Sequence, residues 1–162
     1  MNTIQLTIPV EVRQMDELGK EDLELVTKAI DATGNSYAPY SNFHVGACLR
    51  LSNGTSVIGA NQENAAYPVG LCAERTALFA AQAQHPELSV LSIAIAARNT
   101  SGELTEKPIS PCGSCRQAIL EVEERYNQPV RILLYGRSGI YILRTVKDLL
   151  PLCFVSEDLD GK

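Results

Sequence analysis

At 162 residues, 45% hydrophobic and 20% charged, the chain has the composition of a globular protein with enough apolar surface to build a core without disulfide staples. Its net charge is −5 with Lys and Arg scattered singly, which argues against a nucleic-acid groove and against docking on an anionic membrane. No run of about 18 apolar residues offers a membrane span, and the opening MNTIQLTIPVEVRQMDELGKEDL lacks a basic start and an unbroken apolar stretch; a cytoplasmic protein acting on a small molecule is expected.

In chain order, residues 1–19 read as an extra strand plus a connection. Leu23, Val26, Ala29 and Ile30 recur at helical spacing and predict a helix from Lys20 to Thr33, ended by Gly34–Asn35. SYAPYSNF (36–43) is a loop rich in turn formers. FHVGACLRL (43–51) reads as a strand, SNGT as a turn and VIGAN (57–61) as the returning strand of a hairpin. A helix is predicted from about Gly70 to Gln84, a buried strand over SVLSIAIAA (89–97), and a second such helix from about Cys112 to Tyr126. VRILLYG (130–136) and IYILRT (140–145) add two strands, and VKDLLPLCF (146–154) a short final helix or turn. The order α-β-β-α-β-α-β-β-α predicts an α/β fold, a mixed sheet of about five strands with helical layers, in a single domain over 1–162.

Chemistry concentrates in two stretches. YPVGLCAERTALFAA (67–81) places Cys72 near a helix start, behind Pro68 and Gly70, and SPCGSCRQAIL (110–120) places Cys112 and Cys115 at another, behind Pro111. A spacing of three on a first helical turn puts both sulfurs on one side. Two such starts facing each other would gather three thiolates around Zn²⁺ and leave its fourth position open. Three thiolates and Zn²⁺ sum to −1, and two helix N-termini, each about +0.5 of an elementary charge, offset that. Arg75 could add a hydrogen bond to a ligand sulfur. Glu74, two residues from Cys72, would stand beside the open position as a proton carrier; alone, a Glu at a helix start is commonly just a match to the helix dipole. Other readings of the residues remain: a thioredoxin-type dithiol at C-x-x-C, or a closed structural zinc completed by Cys48, Cys153 or a His. The five cysteines are expected to be reduced, with Cys48 and Cys153 free and buried.

Cys72-Ala73-Glu74 followed by Pro111-Cys112-Gly113-Ser114-Cys115 fits the zinc-deaminase pattern H-x-E…P-C-x-x-C, with Cys as the first ligand. With FHVGACL, GANQENAAYPVGLCAERTA, PCGSCRQ and LLPLCF, the chain resembles the cytidine deaminase family from about residue 20 to 158; residues 1–19 lie outside as an N-terminal extension. The resemblance implies a three-layer α-β-α sandwich and a zinc-dependent hydrolysis of cytidine, and of 2′-deoxycytidine, to the uridine and ammonia, in pyrimidine salvage. It implies that Glu74 shuttles protons, that Asn61 and Glu63 bind the ribose hydroxyls, that Phe43 packs on the pyrimidine, and that Ala73 offers a backbone group to the base. Tyr67 and Phe154 match aromatics that reach a neighbouring subunit's site, in a homotetramer with shared active sites. Gln62 stands where an aliphatic residue is common. On the residues alone, core packing is the favoured reading for Phe43 and Phe154, and it is the reading for Tyr37, Tyr40, Tyr126, Tyr135, Tyr141, His44 and His85. The competing activities are a blasticidin-type aminohydrolase, a nucleic-acid-editing deaminase and a non-enzymatic zinc or redox protein.

Overall fold

The computed structural model describes residues 1–159. Six strands form one mixed sheet: β1 (Glu11–Arg13), β2 (His44–Leu51), β3 (Ser56–Ala60), β4 (Val90–Arg98), β5 (Arg131–Gly136) and β6 (Gly139–Leu143). Their spatial order is β1-β6-β5-β4-β2-β3, with β4–β5 the parallel pair and the other neighbours antiparallel. Three helices cover it: α1 (Lys20–Ala32), α2 (Ala73–Gln84) and α3 (Gly113–Tyr126). Five of the six strands are the expected ones, and the sixth falls within residues 1–19, read from the sequence as an extra strand plus a connection. The addition is β1, whose three residues are too few to carry a visible period and which forms by pairing with β6.

Alternation along the central strands decides which helix lies on which face. Ala47, Leu49 and Leu51 of β2 and Ile93 and Ile95 of β4 point to the layer of α2 and α3, where Leu78, Ile119 and Leu120 meet them. Cys48, Ala94 and Ala96 point the other way, to Leu25, Val26 and Ala29 of α1. β4 is thus buried on both faces, which is why its sequence is a nearly unbroken apolar run. The three-layer α-β-α arrangement follows. The buried stripe of α1 includes Leu25, whereas Leu23, one of the residues at helical spacing, is 39% exposed.

Two glycines set how closely helices approach the sheet. A Cβ on Gly46 would lie 2.2 Å from the Ala29 carbonyl oxygen, and one on Gly59 would lie 2.3 Å from that of Ala73. Bare backbone at these points lets α1 rest on β2 and the first turns of α2 rest on β3. The same contact seats Cys72 and Glu74.

Glu123 is a buried carboxylate with no local signal in the sequence. It accepts hydrogen bonds from the N–H groups of Val130 (2.9 Å) and Val146 (2.8 Å) and from the Thr145 hydroxyl (2.7 Å). It ties α3 to the start of β5 and to the chain leaving β6. Beyond Thr145 the expected short helix or turn is a 3-10 turn over Val146–Leu149. Arg116 donates to the carbonyls of Pro111 (2.8 Å) and Leu149 (2.6 Å), and the Gln117 amide donates to that of Phe154 (3.0 Å), so α3 holds the C-terminal segment. Among the described residues no helix is long and apolar enough to cross a membrane.

Candidate metal centre and nucleoside cavity

The two cysteine-bearing helix starts converge. Cys72 is the N-cap of α2 and Cys112 that of α3, both in extended backbone, and Cys115 follows in the first turn of α3. α3 therefore begins within one residue of its expected start, whereas α2 begins three residues later than expected, and Gly70 and Leu71 stay extended. Leu71 exchanges backbone hydrogen bonds with Gln62 (2.9 and 3.0 Å), and this bridge diverts the chain until Cys72.

The sulfur atoms of Cys72 and Cys112 lie 3.8 Å apart and those of Cys112 and Cys115 3.5 Å apart. All three fall within 4.8 Å of one another, and no fourth ligating side chain joins the group among the described residues. A tetrahedral zinc with Zn–S bonds of about 2.3 Å sets its sulfurs about 3.8 Å apart, so the spacing fits the ion and leaves one position free of protein. The proton chemistry agrees. Cys72 is brought down to about 5, first by the hydrogen bond from Cys115 and then by those from Arg75 and Cys112. Cys115 is pushed far above the ordinary thiol value by the same Cys72 partnership and by burial. The cluster gives up a first proton readily and resists losing the next, because a second thiolate would face the first; a divalent cation removes that resistance. Arg75 Nη2 reaches Cys72 Sγ at 3.7 Å, as its position on the first turn suggested.

Glu74 is 4% exposed, and burial, ahead of the Cys72 charge, raises its carboxyl above the usual carboxylate range. A carboxyl placed there exchanges protons nearer neutrality than a solvated one. Cys48 is buried, its thiol raised to about 11 by desolvation, and Cys153 is half-buried; all five cysteines are free. Cys48 and Cys153 take no part in the sulfur cluster.

A chain with this pair of helix starts matches the family model for the cytidine and deoxycytidylate deaminase zinc-binding region over residues 19–127. The chain belongs to that family. It is 39% identical over 136 residues to a cytidine deaminase of Halalkalibacterium halodurans, spanning 84% of this chain and 96% of the relative. A cytidine deaminase of Sporosarcina psychrophila is 40% identical over 136 residues, spanning 84% and 93%. The crystal structure of a cytidine deaminase from Burkholderia pseudomallei superposes with a TM-score of 0.70 at 37% identity, covering 81% of this chain and 97% of that one. The family model is that of a zinc-binding region, and within it Cys72, Cys112 and Cys115 form a group that could hold the ion.

Beside Cys72 opens a cavity of about 560 Å³ whose walls include Tyr40, Asn61, Glu63, Tyr67, Cys72 and Arg75. The segment 61–63 is its spine, held on one side by Tyr37 (Tyr37 N–H to Asn61 O, 2.9 Å; Glu63 N–H to Tyr37 O, 2.8 Å) and on the other by Leu71. The Asn61 amide is fixed by Val45 N–H (2.8 Å) and by its own N–H to Phe43 O (2.9 Å). Glu63 accepts from the N–H groups of Tyr40 (2.9 Å) and Ser41 (3.2 Å) and from the Ser41 hydroxyl. That hydroxyl leads in lowering its pKa. Gln62 turns its amide to Asn35 O (3.2 Å).

Not every expected residue lines this cavity. Phe43 is half-buried and outside its walls, Ala73 and Glu74 are buried in the first turn of α2, and Phe154 is 57% exposed on the C-terminal segment. Tyr67 is 76% exposed and meets the Tyr40 ring edge-on at 6.0 Å. The assignment of Tyr37, Tyr40 and Tyr141 to the core is corrected, since all three are exposed, while Tyr135 is buried as expected. Tyr40 and Ser41 were missed as cavity residues; the turn-rich stretch SYAPYSNF was the available signal, but only the fold brings it to Glu63.

Proposed function

We propose that this chain catalyses the hydrolytic deamination of cytidine and 2′-deoxycytidine to uridine and deoxyuridine, acting as one domain over 1–162 in the cytoplasm, in pyrimidine salvage. The observation that carries the reading is the three-sulfur group with the buried Glu74 two residues beyond Cys72. The named activity of the relatives and the cavity beside Cys72 support it, and five free thiols suit a reducing compartment.

When bound at Cys72, Cys112 and Cys115, zinc supplies Lewis acidity that brings the pKa of a water close to neutrality. Glu74 takes the proton released and delivers it to N3 of the cytosine as oxygen adds to C4. It then moves the proton of the C4 hydroxyl to the amino group, which leaves as ammonia as the C4–N bond breaks and the C4 carbonyl forms. A carboxyl that serves as base and as acid in one turnover needs a raised pKa, which burial supplies. Asn61 and Glu63 bind the ribose hydroxyls. The Asn61 amide keeps one N–H and one lone pair beyond its backbone partners, and the Glu63 carboxylate keeps one acceptor position. Their fixed geometry means that little side-chain freedom is lost on binding. Phe43 packs on the pyrimidine, the Ala73 backbone meets the base, and Arg75 tempers the thiolate charge. Tyr67 and Phe154, both exposed in the isolated chain, reach sites of neighbouring subunits in a homotetramer.

The test is to mix zinc-loaded protein with cytidine and follow the ultraviolet change and ammonia release, with and without a chelator. Turnover that the chelator abolishes is expected. Absence of ammonia from any pyrimidine nucleoside would refute the proposal, and a substrate panel including blasticidin separates it from that aminohydrolase.

A further inference from the structure

The first ten residues, MNTIQLTIPV, carry no charged side chain, and with Val12 they set apolar residues at every second position: Ile4, Leu6, Ile8, Val10 and Val12. That is the period of a strand with one covered face. Yet only Glu11–Arg13 is paired, and the five apolar side chains are between 43% and 84% exposed. Val12 lies opposite Tyr141, itself 41% exposed, so the row continues onto the sheet face that α2 and α3 leave bare at this end.

The backbone shows which way the segment is open. β5 and β6 are joined by two residues, with Gly136 paired to Gly139. In such a hairpin that closing pair exchanges hydrogen bonds. Alternation then directs Tyr141 and Leu143 toward β5, and Ile140 and Ile142 toward β1. Glu11 and Arg13, opposite Ile142 and Ile140, bond to β6, so the N–H and C=O of Val12 point to the free edge. If the strand continues upstream, those of Val10, Ile8, Leu6 and Ile4 do the same. Pro9, which has no N–H to give, has the parity of Glu11 and is turned away from that edge. An edge with unpaired backbone, an apolar face and no charged side chain before Glu11 is the kind that natural sheets cover or block.

We infer that residues 4–12 form an antiparallel strand pair with the same residues of a second copy of this chain, about a two-fold axis at Ile8. In this register Ile8 meets its symmetry mate, Leu6 meets the partner's Val10, and Ile4 meets the partner's Val12. Every hydrogen-bonding pair then falls on a residue with its own N–H, and Pro9 falls opposite Thr7 in a non-bonded pair. One patch that complements itself is what a two-fold interface requires, and the lack of charge disfavours an acidic or basic partner.

The experiment uses the zinc-loaded full chain and a short bismaleimide, comparing Ile8→Cys, Thr3→Cys and the unaltered protein. In the proposed register the two Ile8 positions face each other across about 5.5 Å, whereas the two Thr3 positions are about 33 Å apart at about 3.3 Å per residue. Ile8→Cys is expected to yield mainly covalent dimer, Thr3→Cys no more than the unaltered protein, and Leu6→Lys added to Ile8→Cys to suppress the cross-link. Equal cross-linking at Thr3 and Ile8 would mark a mobile tail and overturn the inference, as would none at Ile8 or persistence with Leu6→Lys. Absence of the Ile8 cross-link with co-sedimentation on phosphatidylglycerol vesicles would assign the segment to a lipid surface instead and equally overturn it. Cytidine turnover by a chain starting at Glu11 is expected to match the full chain, so this test stands apart from the catalytic one.

Discussion

The Gly59→Ala variant tests whether the closeness of α2 to β3 sets the reactive geometry. The added methyl carbon would lie 2.3 Å from Ala73 O, 2.5 Å from Ala77 N and 2.9 Å from Ala77 Cβ. Ordinary contact begins at about 3.4–3.5 Å, and two of the three atoms are backbone, so the first turns of α2 must withdraw by about 1 Å. Overpacking of this kind typically costs about 1–3 kcal/mol against a usual domain stability of about 5–15 kcal/mol, and the variant should still fold. Metal geometry is less tolerant, since zinc–ligand distances hold to about 0.2 Å. Cys72 and Glu74 travel with α2, whereas Cys112 and Cys115 stay with α3. The expected result is weakened zinc binding in competition with a chromophoric chelator, and a fall of about 10²-fold in cytidine turnover at saturating zinc, the usual cost of a 1 Å misplacement. Gly46→Ala is the control. It makes an equally short backbone contact, 2.2 Å to Ala29 O, but against α1, which carries no metal ligand. It should lose comparable stability and keep its zinc affinity. Turnover and zinc affinity of Gly59→Ala within threefold of the unaltered protein, or equal loss of zinc from Gly46→Ala, would refute the reasoning.

Three further outcomes are expected. Glu74→Gln should retain one zinc per chain and lose at least about 10²-fold in turnover, the lower range for general acid–base catalysis; a near-normal rate would remove Glu74 from the chemistry. Cys112→Ser should lose zinc and thermal stability together, because metal bound only by the folded chain adds to its stability, and metal analysis beside a melting curve reads both. Glu123→Ala leaves the Val130 and Val146 N–H groups and the Thr145 hydroxyl without their acceptor. At about 1–3 kcal/mol for each stranded group the loss should be at least about 3 kcal/mol in urea unfolding, and a change under 1 kcal/mol would show that water replaces the carboxylate.

The metal centre was the most legible feature because its information is local. Each cysteine stretch announces its own helix start through Pro and Gly, and three thiols at two such starts leave few arrangements that make chemical sense. The sheet was legible for a similar reason, β4 most of all, since burial on both faces writes itself as an apolar run. What escaped depends on pairing across distance. An extra strand was expected within residues 1–19, but β1 has three residues and exists only against β6, so no window on the sequence could bound it, although the alternation upstream of it was in plain view. Tyr40 and Ser41 became cavity residues because Glu63, more than twenty positions away, gathers their backbone N–H groups. Nothing local to Glu123 marks it off from the other charges of its helix, and its three donors come from the ends of β5 and β6. In each case a polar group or a short segment has two plausible environments, and only the tertiary fold chooses between them. A cysteine at a helix N-cap has its environment built into the turn that carries it. Residues whose surroundings are made by their own turn are therefore readable in advance, and those whose partners arrive from elsewhere are not.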